Sequence, residues 1–219
     1  GLLIERAAYK PLRSAPRMSV MISAIGVSYL LQNLATYITG GLARPYPEIP
    51  FLKGTFMLGA LKIKIITVVT PLLTVLLVIA LVIFINHTKT GMAMRAVSRD
   101  FDTARLMGIK VNNIISVTFI IGSFLAGVGS ILYFSNYGQV SPTIGAMPGL
   151  KAFVAAVFGG IGSIPGAVLG AYIIGICESL IKANDAIAIF SNAFTFALLI
   201  LVLLFKPNGM FGEKLAEKV

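Results

Sequence analysis

Acid–base, nucleophilic and metal chemistry is limited here by supply. The 219 residues hold eight carboxylates, one histidine and one cysteine. No carboxylates are paired for general acid–base work, and no nucleophile stands beside a base. No His/Cys cluster has metal-ligand spacing, and no GxxxxGK(S/T) loop offers a phosphate cradle. Catalytic residues, metal ligands and a resident cofactor are therefore expected to be none, and an enzyme is not expected. His87 sits at a helix end, and Cys177, in an apolar run, reads as an inert buried thiol. One cysteine excludes a disulfide framework.

The polar chemistry that remains is concentrated in Thr90 to Asn113, TGMAMRAVSRDFDTARLMGIKVNN. Arg95, Arg99, Arg105 and Lys110 stand there against Asp100 and Asp102, and charge-free apolar runs flank the stretch. Each Arg, Lys or Asp at a bilayer centre costs about 2.5–3.5 kcal/mol. The stretch must therefore lie on a water side. It contains no Pro and is rich in helix formers, which predicts a short helix over 100–107. Gly108 follows as a C-cap glycine, with Arg105 in the last turn. A small helix exposed at the membrane surface is a handle for another protein.

The surrounding elements follow from composition. The chain is 57% hydrophobic and only 12% charged, against about 25% charged in soluble domains. Apolar runs long enough to cross a hydrocarbon core of about 30 Å recur along it. The expected fold is all-α: one transmembrane domain over 1–219, with about six membrane segments and the loop 90–113 within it. Net charge is +10, and the positive residues cluster at helix ends. They read as topology determinants rather than a nucleic-acid surface. Segments 1–17, 86–113 and 206–219 carry 12 Lys/Arg and the rest six, so those three are assigned to the inner side.

In chain order, 5–17 is a basic segment broken by Pro11 and Pro16. Spans are predicted near 18–40, 65–85, 111–137, 166–181 and 186–205. Gln32 and Asn33 in the first need partners within the bundle. Pro71 falls in the first turns of the second, and Asn112 is the expected N-cap of the third. RPYPEIPFLKGTF, with three prolines, forbids a continuous helix and is placed outside, with Phe51, Phe56 and Met57 near the interface. Glu178 and Lys182, four apart, predict a helical ion pair. Gly122, Ala126 and Ser130, and the small pairs around Gly170 and Gly175, mark faces where helix backbones can approach closely.

One segment departs from this pattern. Pro148-Gly149 opens an apolar run, Leu150–Phe158, closed by Gly159-Gly160, with Gly162, Ser163, Pro165 and Gly166 next. Nine or ten helical residues reach only about 15 Å. The run reads as a broken helix beside a cavity, where irregular backbone is tolerated at membrane depth. A C-terminus on the inner side requires this segment to count as a crossing.

GMAMRAVSRDFDTARLMGIKVNNIISVTFIIGSFLAGVGSIL and GLKAFVAAVFGGIGSIPGAVLGAYIIGICESL together resemble the permease subunit of branched-chain amino-acid ABC importers, the LivH type. The opening LIERAAYKPLRSAPRMSVMISAIGVSYLLQN and the closing ALLILVLLFKPNGMFG match as well, so the resemblance covers nearly the whole chain. Sugar-type permeases share the central loop and the glycine-rich segment, less well at both ends. The resemblance implies that Asp100, Thr103, Ala104, Arg105, Leu106, Met107 and Gly108 form the coupling helix that docks on an ATPase. It implies a bacterial inner-membrane protein with a cytoplasmic C-terminus. Its partners would be a second homologous permease, two ATP-binding subunits, an extracytoplasmic amino-acid-binding protein and the lipid bilayer. ATP would be bound by the partners and not by this chain. Members of that family carry further spans upstream of the residue numbered 1 here, so a longer polytopic protein is expected. An importer of sugars or other small polar solutes, and a channel or secondary transporter, are the alternatives.

Overall fold

The computed structural model describes residues 1–12, 17–47, 54–58, 61–160, 162–185, 187–206 and 209–210. They form two compact units, Gly1–Thr143 and Ile144–Val219. The expectations for Pro16, Pro50 and Phe51 lie outside the described residues.

In the first unit, α1 (Leu2–Ile4) runs on as a π-helical turn (Glu5–Tyr9) against α6 (Val111–Tyr137). Glu5 is buried there and its carboxylate accepts a hydrogen bond from Ser116 Oγ at 3.0 Å. Tyr9 lies against Phe119, ring centroids 5.1 Å apart. The basic opening segment is thus anchored by its one acid. Helix α2 (Arg17–Thr39) matches the first predicted span. Its Gln32 and Asn33 bond within their own helix, to Ser28 Oγ at 3.0 Å and the Tyr29 carbonyl at 2.8 Å. Both are bonds to the residue four earlier in the same helix, not across to a second one.

Helix α3 (Ile65–His87) carries Pro71 as its seventh residue, within its first two turns as expected but already far enough in that an N–H there would have had a partner. Only the bond to the Thr67 carbonyl is lost, and the helix continues. Helix α6 begins with Lys110, not Asn112, as N-cap, and no side chain caps it. Between α2 and α3, where no strand is predicted, β2 (Thr55–Leu58) and β3 (Leu61–Lys64) pair antiparallel, Thr55 opposite Lys64. Likewise β1 (Arg44–Pro45) pairs with β4 (Gln139–Val140) just after α6 ends.

The second unit is a three-helix layer: α7 (Ala146–Gly159), α8 (Ile164–Lys182) and α9 (Ser191–Phe205), the last preceded by a 3-10 turn (Ala188–Phe190). Val154, Ala155, Phe158 and Ile174 form its core, covered by Ile173, Phe196, Leu198, Leu199 and Val202. Helices Ile65–His87, Val111–Tyr137, Ile164–Lys182 and Ala188–Phe205 are each long and apolar enough to cross a membrane. The protein is an all-α polytopic membrane bundle.

Candidate functional site

The polar stretch folds as two helices. Thr88 alone separates α3 from α4 (Lys89–Arg99), and it serves both. Its hydroxyl donates to the Phe84 carbonyl at 2.7 Å and accepts from Gly91 N at 3.0 Å. Gly91 lies so close to the last turns of α3 that a Cβ would collide with the Ile85 backbone. Asp100 then breaks the helix in an extended conformation and caps α5 (Phe101–Leu106). Its Oδ1 accepts from Asp102 N at 3.0 Å and Thr103 N at 3.2 Å, and its Oδ2 accepts from Thr103 Oγ1 at 2.9 Å. Two otherwise orphan N–H groups are satisfied, which is what an N-cap Asp supplies.

The far end of α5 closes equally fully. Gly108 is left-handed (φ +79°), Gly108 N donates to the Arg105 carbonyl at 2.9 Å and Ile109 N to the Ala104 carbonyl at 3.1 Å. This pair of bonds is a Schellman motif. Its accompanying apolar contact is present: Ala104 is buried with Val97 and Val111, and Ile109 packs against that cluster. A helix of six residues is too short to persist by itself. The caps and the Ala104 anchor hold it.

What α5 and its C-cap present outward includes large apolar side chains among polar ones. Leu106 is 88% exposed and Met107 78%, with Phe101, Asp102, Thr103 and Arg105 also exposed. Exposed leucine is ordinary on a membrane span, but this helix is polar and only six residues long, so the exposure has meaning. An open depression of about 340 Å³ adjoins it, lined by Arg105, Ile109, Lys110, Val111, Asn112 and Asn113.

The glycine-rich segment is the second candidate. Helix α7 starts four residues before Leu150 and holds 14 residues, about 21 Å. Pro148 lies in its first turn, where its missing N–H has no helical partner to lose, so it does not delay the start. Helices α7 and α8 pair antiparallel, with Lys151 facing Glu178 at one end and Gly159 facing Gly166 at the other. A Cβ on Gly159 would strike the Gly166 carbonyl, and one on Gly170 would come within 2.7 Å of the Ala155 oxygen. Between the helices, Gly160 (φ +108°) and Gly162 (φ +101°) adopt conformations that side chains disfavour. Ser163 caps α8, its Oγ accepting from Gly166 N at 3.2 Å, with Pro165 in the first turn.

Glu178 takes Lys182 on Oε1 at 2.5 Å, the ion pair read from spacing, and also Lys151 at 2.5 Å, which sequence reasoning missed. The signal was a lysine within an apolar run, which needs a partner. Gly149 and Gly175 have nothing within 4 Å of a built Cβ, and neither has Gly122; Ala126 and Ser130 are exposed on the same helix as Gly122. Of the small residues singled out for helix contacts, Gly170 and its pair partner Gly166 lie in the tight approach to α7.

Fold and site together define a multi-pass membrane protein with one capped helix that exposes apolar side chains outside its spans. Residues 1–203 match the family model described as "Branched-chain amino acid transport system / permease component", and the chain belongs to that family. It is 41% identical to the high-affinity branched-chain amino acid transport system permease protein LivH of Escherichia coli K12, over all of this chain and 72% of the relative. BraD of Pseudomonas aeruginosa, a permease protein of the same description, shows the same identity and coverage. A probable LivH of Methanocaldococcus jannaschii is 30% identical over 96% of this chain and 70% of its own length. No solved structure matches. The chain is a permease component, not an enzyme.

Proposed function

We propose that this chain is one transmembrane half of an ATP-driven importer of leucine, isoleucine, valine or related amino acids in a bacterial inner membrane. It pairs with a second homologous permease. Two separate ATPase subunits bind on the inner side, and an extracytoplasmic binding protein delivers the substrate. Helix α5 is the coupling element: Leu106 and Met107 enter an apolar groove of the ATPase, and Asp102 and Arg105 meet charges at its rim. The observation that carries this is a six-residue helix, capped at both ends, that with its C-cap Met107 leaves two large apolar side chains exposed. ATP-driven closure of the ATPases would move α5, and through Ala104 the end of α4 and the start of α6.

The Gly159–Gly166 turn borders the substrate path in this reading. Within the second unit, the 160–163 turn and Gly209–Met210 lie at one end, because Met210 N donates to the Phe158 carbonyl at 2.9 Å. Residues 183–187 lie at the other. With the basic tail inside by the charge rule, the Lys151 end faces out and the C-terminus is cytoplasmic.

The test is Arg105→Glu with Leu106→Asp in the complete transporter. Uptake and co-purification of the ATPase are expected to vanish while membrane insertion stays normal. Normal uptake in that variant overturns the docking role. Uptake that follows a swapped sugar-binding protein, or persists on a gradient after ATP depletion, overturns the substrate class or the energy source instead.

A further inference from the structure

Helix α4 has a face that the coupling reading leaves unused. Gly91 and Val97 are buried on one side, against α3 and α6. The opposite face runs Lys89, Met92, Arg95 and Arg99, all exposed, and the nearest carboxylate along the chain is the C-cap Asp100, beyond the last turn. Its height in the membrane is fixed by two contacts. Gly91 abuts Ile85 in the last turns of α3, and Arg95 Nη1 donates to Asn86 Oδ1 at 3.3 Å. Asn86 belongs to the end of a helix that spans the bilayer, so the Arg95 guanidinium sits where hydrocarbon gives way to headgroups.

We propose that the Lys89–Met92–Arg95–Arg99 face of α4 binds the phosphate of an anionic phospholipid. The chemistry is matched at each point. A guanidinium forks two N–H groups onto a phosphate, and Lys89 adds a point charge on the same exposed side. Met92 lies between the cations and contacts the upper acyl chain. A basic helix with an apolar residue among its cations, held at the interface, is the arrangement that adsorbs to anionic lipid. The inference needs only that α3 crosses a bilayer, and it stands whether or not α5 docks an ATPase.

The test uses the full-length permease in a neutral detergent, titrated with phosphatidylglycerol or with phosphatidylcholine. Phosphatidylglycerol at saturation is expected to raise the unfolding midpoint by about 5 °C, and phosphatidylcholine to leave it nearly unchanged. In Lys89→Gln with Arg99→Gln the rise is expected to shrink to about a third, and Arg95→Lys, which keeps the charge but loses the fork, to fall between. The double variant leaves the Arg95–Asn86 contact in place, so a folding failure of an Arg95 variant does not remove the test. An unchanged phosphatidylglycerol response in the double variant overturns the proposal, as does an equal response to phosphatidylcholine. Equal stabilisation by inorganic phosphate alone assigns the site to free phosphate and overturns the lipid. Loss of ATPase co-purification in the double variant with its lipid response intact assigns the face to a protein instead.

Discussion

Gly170→Ala and Gly175→Ala place one methyl group each on the same helix, and they are expected to act in opposite directions. At Gly170 the new Cβ would lie 2.7 Å from the Ala155 carbonyl oxygen and 3.0 Å from Gly159 N. Both neighbours are backbone of α7, so no side chain can swing away and the two helices must separate. Overpacking of this kind costs about 1–3 kcal/mol, and replacing a helical Gly by Ala returns about 1 kcal/mol, leaving a net loss of up to about 2 kcal/mol. For a chain of this size each kcal/mol moves the midpoint by about 2–4 °C. Gly170→Ala should therefore unfold up to about 8 °C lower than the parent. At Gly175 nothing lies within 4 Å. Only the helix-propensity gain remains there, and the midpoint should rise by about 2–4 °C. The assay is loss of helical circular dichroism on heating the purified full-length subunit in detergent, without partners. Equal midpoints for the two variants, or a more stable Gly170→Ala, would refute the close approach of α7 and α8.

Three other perturbations follow from contacts described above. Ala104→Leu should lift α5 from the Val97–Val111 cluster at a cost of about 1–3 kcal/mol, seen as faster amide exchange over 101–109. Asp100→Ala should destabilise α5 by about 1 kcal/mol, whereas Asp100→Asn, which still accepts hydrogen bonds, should cost little by the same exchange measurement. Glu178→Gln should lower the thermal midpoint more than Lys182→Gln. It leaves Lys151, only 23% exposed, without its carboxylate, while Lys182 is 51% exposed and its pair is worth at most about 1 kcal/mol. Equal shifts would mean that the α7–α8 bridge contributes nothing.

The long helices were legible because hydrocarbon imposes one rule on every residue in a span. The third span was read to the residue, 111–137, and the second and fourth within two residues at each end. The α5 helix was legible for a different reason: its proline-free run of helix formers and its Gly108 stop are local signals within a few residues, though the predicted helix starts at Asp100, which is its cap. What escaped depends on partners far along the chain. Glu5 reads as one acid among bases until Ser116 is brought beside it. Lys151 reads as a misplaced cation until Glu178 faces it across a hairpin. The β2–β3 pairing does carry a local signal, the apolar–basic alternation of Leu61-Lys62-Ile63-Lys64, while α4 lies outside the helix predicted over 100–107. Spacing also could not tell Gly170, which meets a neighbour, from Gly122, which meets none among the described residues, since both belong to small-residue repeats.

The Gly209–Met210 contact has a bearing on how the second unit is made. Gly209 is buried against Gly160, where a Cβ would collide with the Gly160 Cα, and Met210 N occupies the Phe158 carbonyl. The hairpin of α7 and α8 can form as soon as residue 182 has been synthesised, but its tip stays unlatched until residues 209 and 210 have left the ribosome. A stop codon just after α9 would spare every span and still leave that tip open, so quality-control proteases should distinguish such a product from the parent chain.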